Sequence, residues 1–266
     1  MNSPPFPFDL LLAGWIASAV LMACLWFWHL RSGNAGVVDV GWALSLAVMA
    51  VAYGVLGNGY PVRRLLVSGM MALWGSRLAL YLWRDRVRGR PEDARYTELR
   101  TAWQTNLPFR FFLFFQAQAL IAALLSTPVA LAVMDPWPTL RVTEWLAIGL
   151  WLVALVGESI ADRQLELFKA EPSSRGRVCV VGLWRYSRHP NYFFEWLVWV
   201  AYALAATASP FGALAWACPA LMLYLLFRVT GIPATEAHAL RSRGEAYRSY
   251  QRTTSAFVPW FPREAR

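Results

Sequence analysis

The chain has 266 residues, of which 58% are hydrophobic and 15% charged, and a formal net charge of +9. Soluble domains carry about 25% charged residues, so the composition excludes an ordinary water-soluble fold. Three Cys without CxxC spacing and three His give no zinc or iron cage, so no metal is expected. The positive charge is read as membrane topology and attraction to anionic lipid, with no nucleic-acid partner.

A bilayer crossing takes roughly 20 helical residues. Seven stretches are apolar and long enough: 8–30, 36–56, 65–83, 111–134, 144–164, 192–208 and 211–230. The expected fold is all-α, a polytopic protein whose single seven-helix domain spans residues 1–266 and whose main partner is the lipid bilayer. The first stretch lacks a basic leader and a small-residue cleavage site, so it reads as a retained span. Seven Arg fall between Arg84 and Arg110, six basic residues between Arg163 and Arg188, and seven Arg from Arg228 onward. Seven spans put these clusters on one side, which the positive-inside rule makes cytoplasmic, with the N-terminus outside and the C-terminus inside.

Polar groups within the spans are few. Asp39 lies three residues into the second span and is its only acid. It reads either as a helix-start carboxylate favoured by the dipole or as an acid in an apolar cavity, its pKa raised by desolvation. Arg77 lies inside the third span, with Tyr81 and Arg84 one and two turns on. Arg84 can snorkel to the interface, whereas Arg77 calls for a buried acid or a ligand phosphate. The segment 84–109, which contains Arg90, reads as a short interfacial helix with turns at Gly89 and Pro108. Glu158, Asp162 and Glu166 share one face near the end of the fifth span, for ion pairing or for ligand hydroxyls.

The run 185–195 sets two Arg, a His, an Asn and a Glu at the mouth of the sixth span. An ionisable group at membrane depth costs several kcal/mol unless a partner satisfies it, so the run reads as a site at the membrane boundary. Asn191 and Glu195 are four residues apart on one helix face and together could pair with a carboxamide. Arg188 and His189, just before Pro190, make an anion locus at a helix start. No Gly-rich loop follows a strand, which excludes a Rossmann site. The tail 236–252 reads as one polar helix carrying Glu236, Tyr247 and Tyr250, after which 257–262 returns apolar residues to the interface.

The segment Gly182-Leu183-Trp184-Arg185-Tyr186-Ser187-Arg188-His189-Pro190-Asn191-Tyr192, followed by Glu195, resembles the signature of steroid 5α-reductase-like membrane enzymes, closest to their bacterial branch. Val38–Trp42, Trp74–Leu78 and Gly244–Tyr250 extend the likeness. The resemblance implies a seven-helix enzyme of the bacterial inner membrane that passes hydride from NADPH to an enone of an apolar, steroid-like or isoprenoid-like substrate. It assigns Asn191 and Glu195 to the nicotinamide end, Arg177 to the phosphates, and Asp162, Arg77 and Arg90 to nearby positions. Arg84, Tyr186, Arg188, His189, Glu236, Tyr247 and Tyr250 complete the expected cofactor set. Asp39, aided by Tyr53 or Tyr81, is the expected acid toward the substrate carbonyl.

The substrate half departs from the family. Its steroid reductases carry a Gln-Glu pair where this chain has Val38-Asp39, and a Tyr near Gly75 or Ser76; Phe194 replaces a Gly. Isoprenylcysteine carboxyl methyltransferases share a similar Arg-His-Pro stretch, so an S-adenosylmethionine-dependent methyltransferase is the alternative. A non-catalytic lipid-binding membrane protein is the third reading.

Overall fold

The structure is a computed structural model that describes residues 5–229 and 231–263. Eleven α-helices are assigned among these residues: α1 (Phe8–Ser32), α2 (Val37–Leu56), α3 (Pro61–Leu82), α4 (Ala94–Trp103), α5 (Leu107–Leu125), α6 (Thr127–Val133), α7 (Val142–Ala170), α8 (Pro190–Ala206), α9 (Ala217–Tyr224), α10 (Ile232–Arg243) and α11 (Glu245–Thr253). No strand occurs among them, and an isolated bridge pairs Ser187 with Ser255. The expected all-α class holds.

Six helical stretches of the described chain are long and apolar enough to cross a membrane: Phe8–Ser32, Val37–Leu56, Pro61–Val87, Leu107–Val133, Val142–Ala170 and Gly212–Arg243. Each covers one predicted span, although the last prediction ends at Thr230, outside the described residues. The predicted span 192–208 becomes α8, a helix of 17 residues that is not among the six. Pro190 opens it at the position a helix tolerates, and the Ser209 N–H turns back onto the Ala206 carbonyl ahead of Pro210.

Local chemistry explains the other boundaries. α1 stops at Gly33, whose φ of 72° is left-handed and whose N–H bonds to the His29 carbonyl. The interfacial helix expected between residues 84 and 109 is α4, where the Asp93 carboxylate caps the start by accepting from the Arg95 N–H. The expected single tail helix is broken: Gly244 (φ 53°) separates α10 from α11. α2 and α3 approach backbone to backbone at Gly75, where a Cβ would lie 2.8 Å from the Ala43 carbonyl.

The chain forms two compact units. The first runs through Glu144 and includes Ala205–Cys218; among its buried residues are Met22, Val38, Tyr96, Phe111 and Phe115, which form one cluster. The second comprises Trp145–Leu204 and the chain from Pro219. It holds one cluster of Leu226, Ile232 and Phe257 and another of Ala239, Tyr247 and Tyr250.

Candidate functional site

In the second unit, the polar run before α8 is held by the tail. Arg188 donates through Nε to Glu236 Oε1 (2.6 Å) and through Nη1 to the carbonyls of Gln251 (3.1 Å) and Thr254 (2.6 Å). Gln251 Nε2 donates to Glu236 Oε2 at 2.9 Å, and His189 Nε2 lies 3.3 Å from Oε1. Burial holds the His189 imidazole below its usual range, against the pull of the Glu236 carboxylate. The neutral ring therefore donates its Nε2–H to Glu236 and stacks on Tyr192 with an interplanar angle of 3°. Ser187 Oγ donates to the Phe257 carbonyl (2.7 Å) and accepts the His189 N–H (3.1 Å).

Tyr250 ties this loop to α11, its hydroxyl directed at the carbonyls of Trp184 and Ser187. Burial pushes its phenol well above the usual range, and does the same for Tyr247, so both remain neutral. Tyr186 accepts the Trp260 N–H at its carbonyl (2.9 Å) and meets Phe261 edge to face. On α8, Asn191 Nδ2 reaches Asp162 Oδ1 of α7 at a long 3.4 Å, with Glu195 one turn further on. Asp162 and Glu158 are buried, whereas Glu166 is exposed and pairs with Arg163.

Tyr250 also lines an open cleft of about 460 Å³ that lies wholly within this unit. Arg177 and Arg185, both exposed, project from its walls, and Ser249, Thr253 and Thr254 add hydroxyls. The Arg177 backbone is fixed by the Arg243 guanidinium, which donates to its carbonyl at 2.8 Å. Arg185 is a cleft residue that sequence reasoning missed. Its signal was its place in the polar run, three residues before an Arg that the tail engages through Nε and Nη1.

In the first unit, Asp39 accepts from the Arg86 guanidinium, from Arg95 Nη2 (3.0 Å) and from the Tyr96 hydroxyl (2.7 Å). An ion cage thus surrounds Asp39, the environment of a helix-start carboxylate. Asp93 accepts from Arg95 Nε at 3.1 Å. Burial would raise the Asp93 carboxyl, but the hydrogen bonds and charges of Arg95 and Arg86 together outweigh it and hold the group below its usual range. Burial and the Asp39 charge together keep the Tyr96 phenol protonated. Beside this cage, Glu92 accepts from Arg100 Nε (2.8 Å) and from the Ala35 N–H (2.7 Å). Tyr53 is buried 3.1 Å from Ser126 Oγ. Arg77 and Tyr81 are half-buried one turn apart on α3, while Arg84 and Arg90 are exposed beyond it.

A second first-unit cluster escaped the sequence altogether. Arg63, fully buried, donates to both Glu144 oxygens (2.5 and 3.1 Å) and to the carbonyls of Asp135, Trp137 and Thr139. Arg141 pairs with Asp135 at 2.5 Å; burial would raise that carboxyl, but Arg141, the Trp137 N–H and the Arg63 charge together hold it below its usual range. This cluster is saturated within the protein.

A sequence model of the family described as "Protein of unknown function (DUF1295)" matches residues 25–254. A Schizosaccharomyces pombe protein described as uncharacterized is 27% identical over 291 aligned residues, which cover 97% of this chain and 80% of the relative. No solved structure matches the chain.

Proposed function

The chain belongs to the family described as protein of unknown function (DUF1295), and from that premise we propose that it is a membrane reductase. It would pass hydride from NADPH to the activated C=C bond of an apolar, steroid-like or isoprenoid-like substrate. The carrying observation is the second-unit cleft, where two exposed guanidiniums and several hydroxyls converge behind a locked polar loop. Its volume of about 460 Å³ falls within the roughly 300–1,000 Å³ of small-ligand sites. Its donors suit phosphate oxygens, which Arg binds with a planar fork.

When bound, NADPH supplies the hydride. Arg177 and Arg185 bind its phosphates. Asn191, braced by Asp162, and Glu195 orient the carboxamide. Arg188 and Glu236 hold the loop and wall in place rather than touching the cofactor. The resemblance to steroid 5α-reductase-like enzymes along 182–195 supports the reductase over the methyltransferase, whose cofactor has no phosphate for these guanidiniums to hold. The same reading makes α8 a seventh span at the short end of the crossing range. It places the Arg-rich loops on the cytoplasmic side of a bacterial inner membrane.

The test is the thermal stability of detergent-purified protein with NADPH, NADH or S-adenosylmethionine, each at about 100 times its dissociation constant. A ligand that binds only the folded state adds about 2.7 kcal/mol there. Stabilisation by NADPH that falls by about half in Arg177→Ala, the effect of tenfold weaker binding, is the expected result. A response to S-adenosylmethionine alone would move the chain to the methyltransferases, and no response to any of the three would overturn the cofactor assignment.

A further inference from the structure

The geometry points to a lipid site in the first unit: we propose that the groove between α2 and α3 holds one anionic glycerophospholipid, its phosphate at Arg64 and one acyl chain along the groove. The groove measures about 400 Å³. Its apolar walls include Val51, Val55 and Leu65, the last two 71% and 75% exposed. Small residues make room, for at Gly69 a Cβ would meet no heavy atom within 4 Å. Both helices belong to stretches apolar enough to cross a membrane, so hydrocarbon rather than water is the natural filling.

The charge at one end selects the headgroup. Arg64 donates through Nε and Nη2 to the Gly54 carbonyl (3.0 and 2.8 Å) and through Nη2 to the Val55 carbonyl (3.0 Å). No carboxylate pairs with it among the described residues, in contrast to its neighbour Arg63. A guanidinium at the end of a span, with Nη1 still available, is complementary to a phosphate. One turn along α3, Ser68 lines the same groove, is 6% exposed, and carries a hydroxyl with no hydrogen-bond partner among the described residues. A buried hydroxyl normally has an acceptor, and a χ1 rotation that turns the Ser68 Oγ away from Gly54 into the groove would let a lipid ester carbonyl beyond the phosphate supply one. Phosphate and ester thus fall in the order in which the helix presents cation and hydroxyl.

The inference rests on the membrane-spanning character of α2 and α3 and not on the reductase reading. Native mass spectrometry of the detergent-purified chain, titrated with phosphatidylglycerol, phosphatidylcholine of the same chains, or inorganic phosphate, tests it. One phosphatidylglycerol per chain is expected, held at least tenfold more tightly than phosphatidylcholine, with no protection by inorganic phosphate. Gly69→Leu fills open space with a better helix former, so it should fold as well as the parent yet lose phosphatidylglycerol by tenfold or more. Arg64→Gln should erase the preference between the two lipids. NADPH affinity in Gly69→Leu should stay unchanged, which separates this proposal from the cofactor assignment. Parent-like lipid binding by Gly69→Leu would overturn the site, as would displacement of the lipid by inorganic phosphate. A concentration-dependent dimer lost in that variant would assign the groove to a second copy of the chain instead.

Discussion

Arg63 and Arg188 each anchor a polar cluster, and the second of these clusters adjoins a cleft. Arg63 is fully buried, and its guanidinium is divided among one carboxylate and three carbonyls. Arg188 is engaged in a similar way, by Glu236 and the carbonyls of Gln251 and Thr254. The difference lies beyond the guanidinium. Around Arg63 the acceptors are loop carbonyls that close on themselves. Behind Arg188, Thr254 and Tyr250 also line a cleft into which Arg177 and Arg185 project. An Arg held by a carboxylate and several carbonyls builds structure in either place, and an exposed Arg beside it is the candidate ligand group.

The sharpest way to break that comparison is Arg63→Met. It strands the Glu144 carboxylate and three carbonyls in a buried setting and should cost about 3–5 kcal/mol in chemical denaturation. Arg188→Met removes a partly exposed version of the same arrangement and should cost about 2 kcal/mol, with weakened NADPH binding because the cleft wall loosens. A loss in Arg188→Met as large as in Arg63→Met would erase the distinction between the two clusters.

Arg177→Ala sharpens the contrast from the other side. An exposed side chain with no ion-pair partner among the described residues should change stability by less than about 0.5 kcal/mol. A charge-assisted bond to phosphate is worth about 1.5–3 kcal/mol, so the NADPH dissociation constant should rise about tenfold or more.

The smallest effect concerns pH. Burial lowers the His189 pKa, so between its folded value and the ordinary value of about 6.5 the unfolded chain binds more protons. Stability is then complete above pH ~6.5 and falls as the pH drops through that window. His189→Gln should flatten this part of a melting-temperature profile, while the Arg63 cluster, which contains no His, should not respond there.

Hydropathy made most of the fold legible, because runs of roughly 20 apolar residues leave few alternatives to spanning helices. It was least decisive at α8, whose length is set by Pro190 and the Ser209 turn rather than by its apolar content. It also missed the Gly244 break, which one residue's left-handed backbone imposes on an otherwise continuous polar pattern. Sequence reasoning grouped Arg188, His189 and Glu236, and the structure joins them through hydrogen bonds. It could not see that this joining engages Arg188 and leaves Arg185 facing the cleft, because side-chain saturation depends on tail carbonyls more than 60 residues away. Arg63 and Glu144 are 81 residues apart, and neither stands in a motif. Asp39 looked isolated only because its partners Arg86, Arg95 and Tyr96 arrive from the π-helical turn that continues α3 and from α4.

The most direct test of the central claim is the NADPH dissociation constant of the detergent-purified chain and of Arg177→Ala, Arg185→Ala and the double variant, each checked for an unchanged melting temperature. The account requires each single change to weaken binding about tenfold, and the pair to weaken it further, at constant stability. Undiminished NADPH binding in the double variant would contradict the assignment of the cleft, as would the absence of NADPH binding by the parent chain.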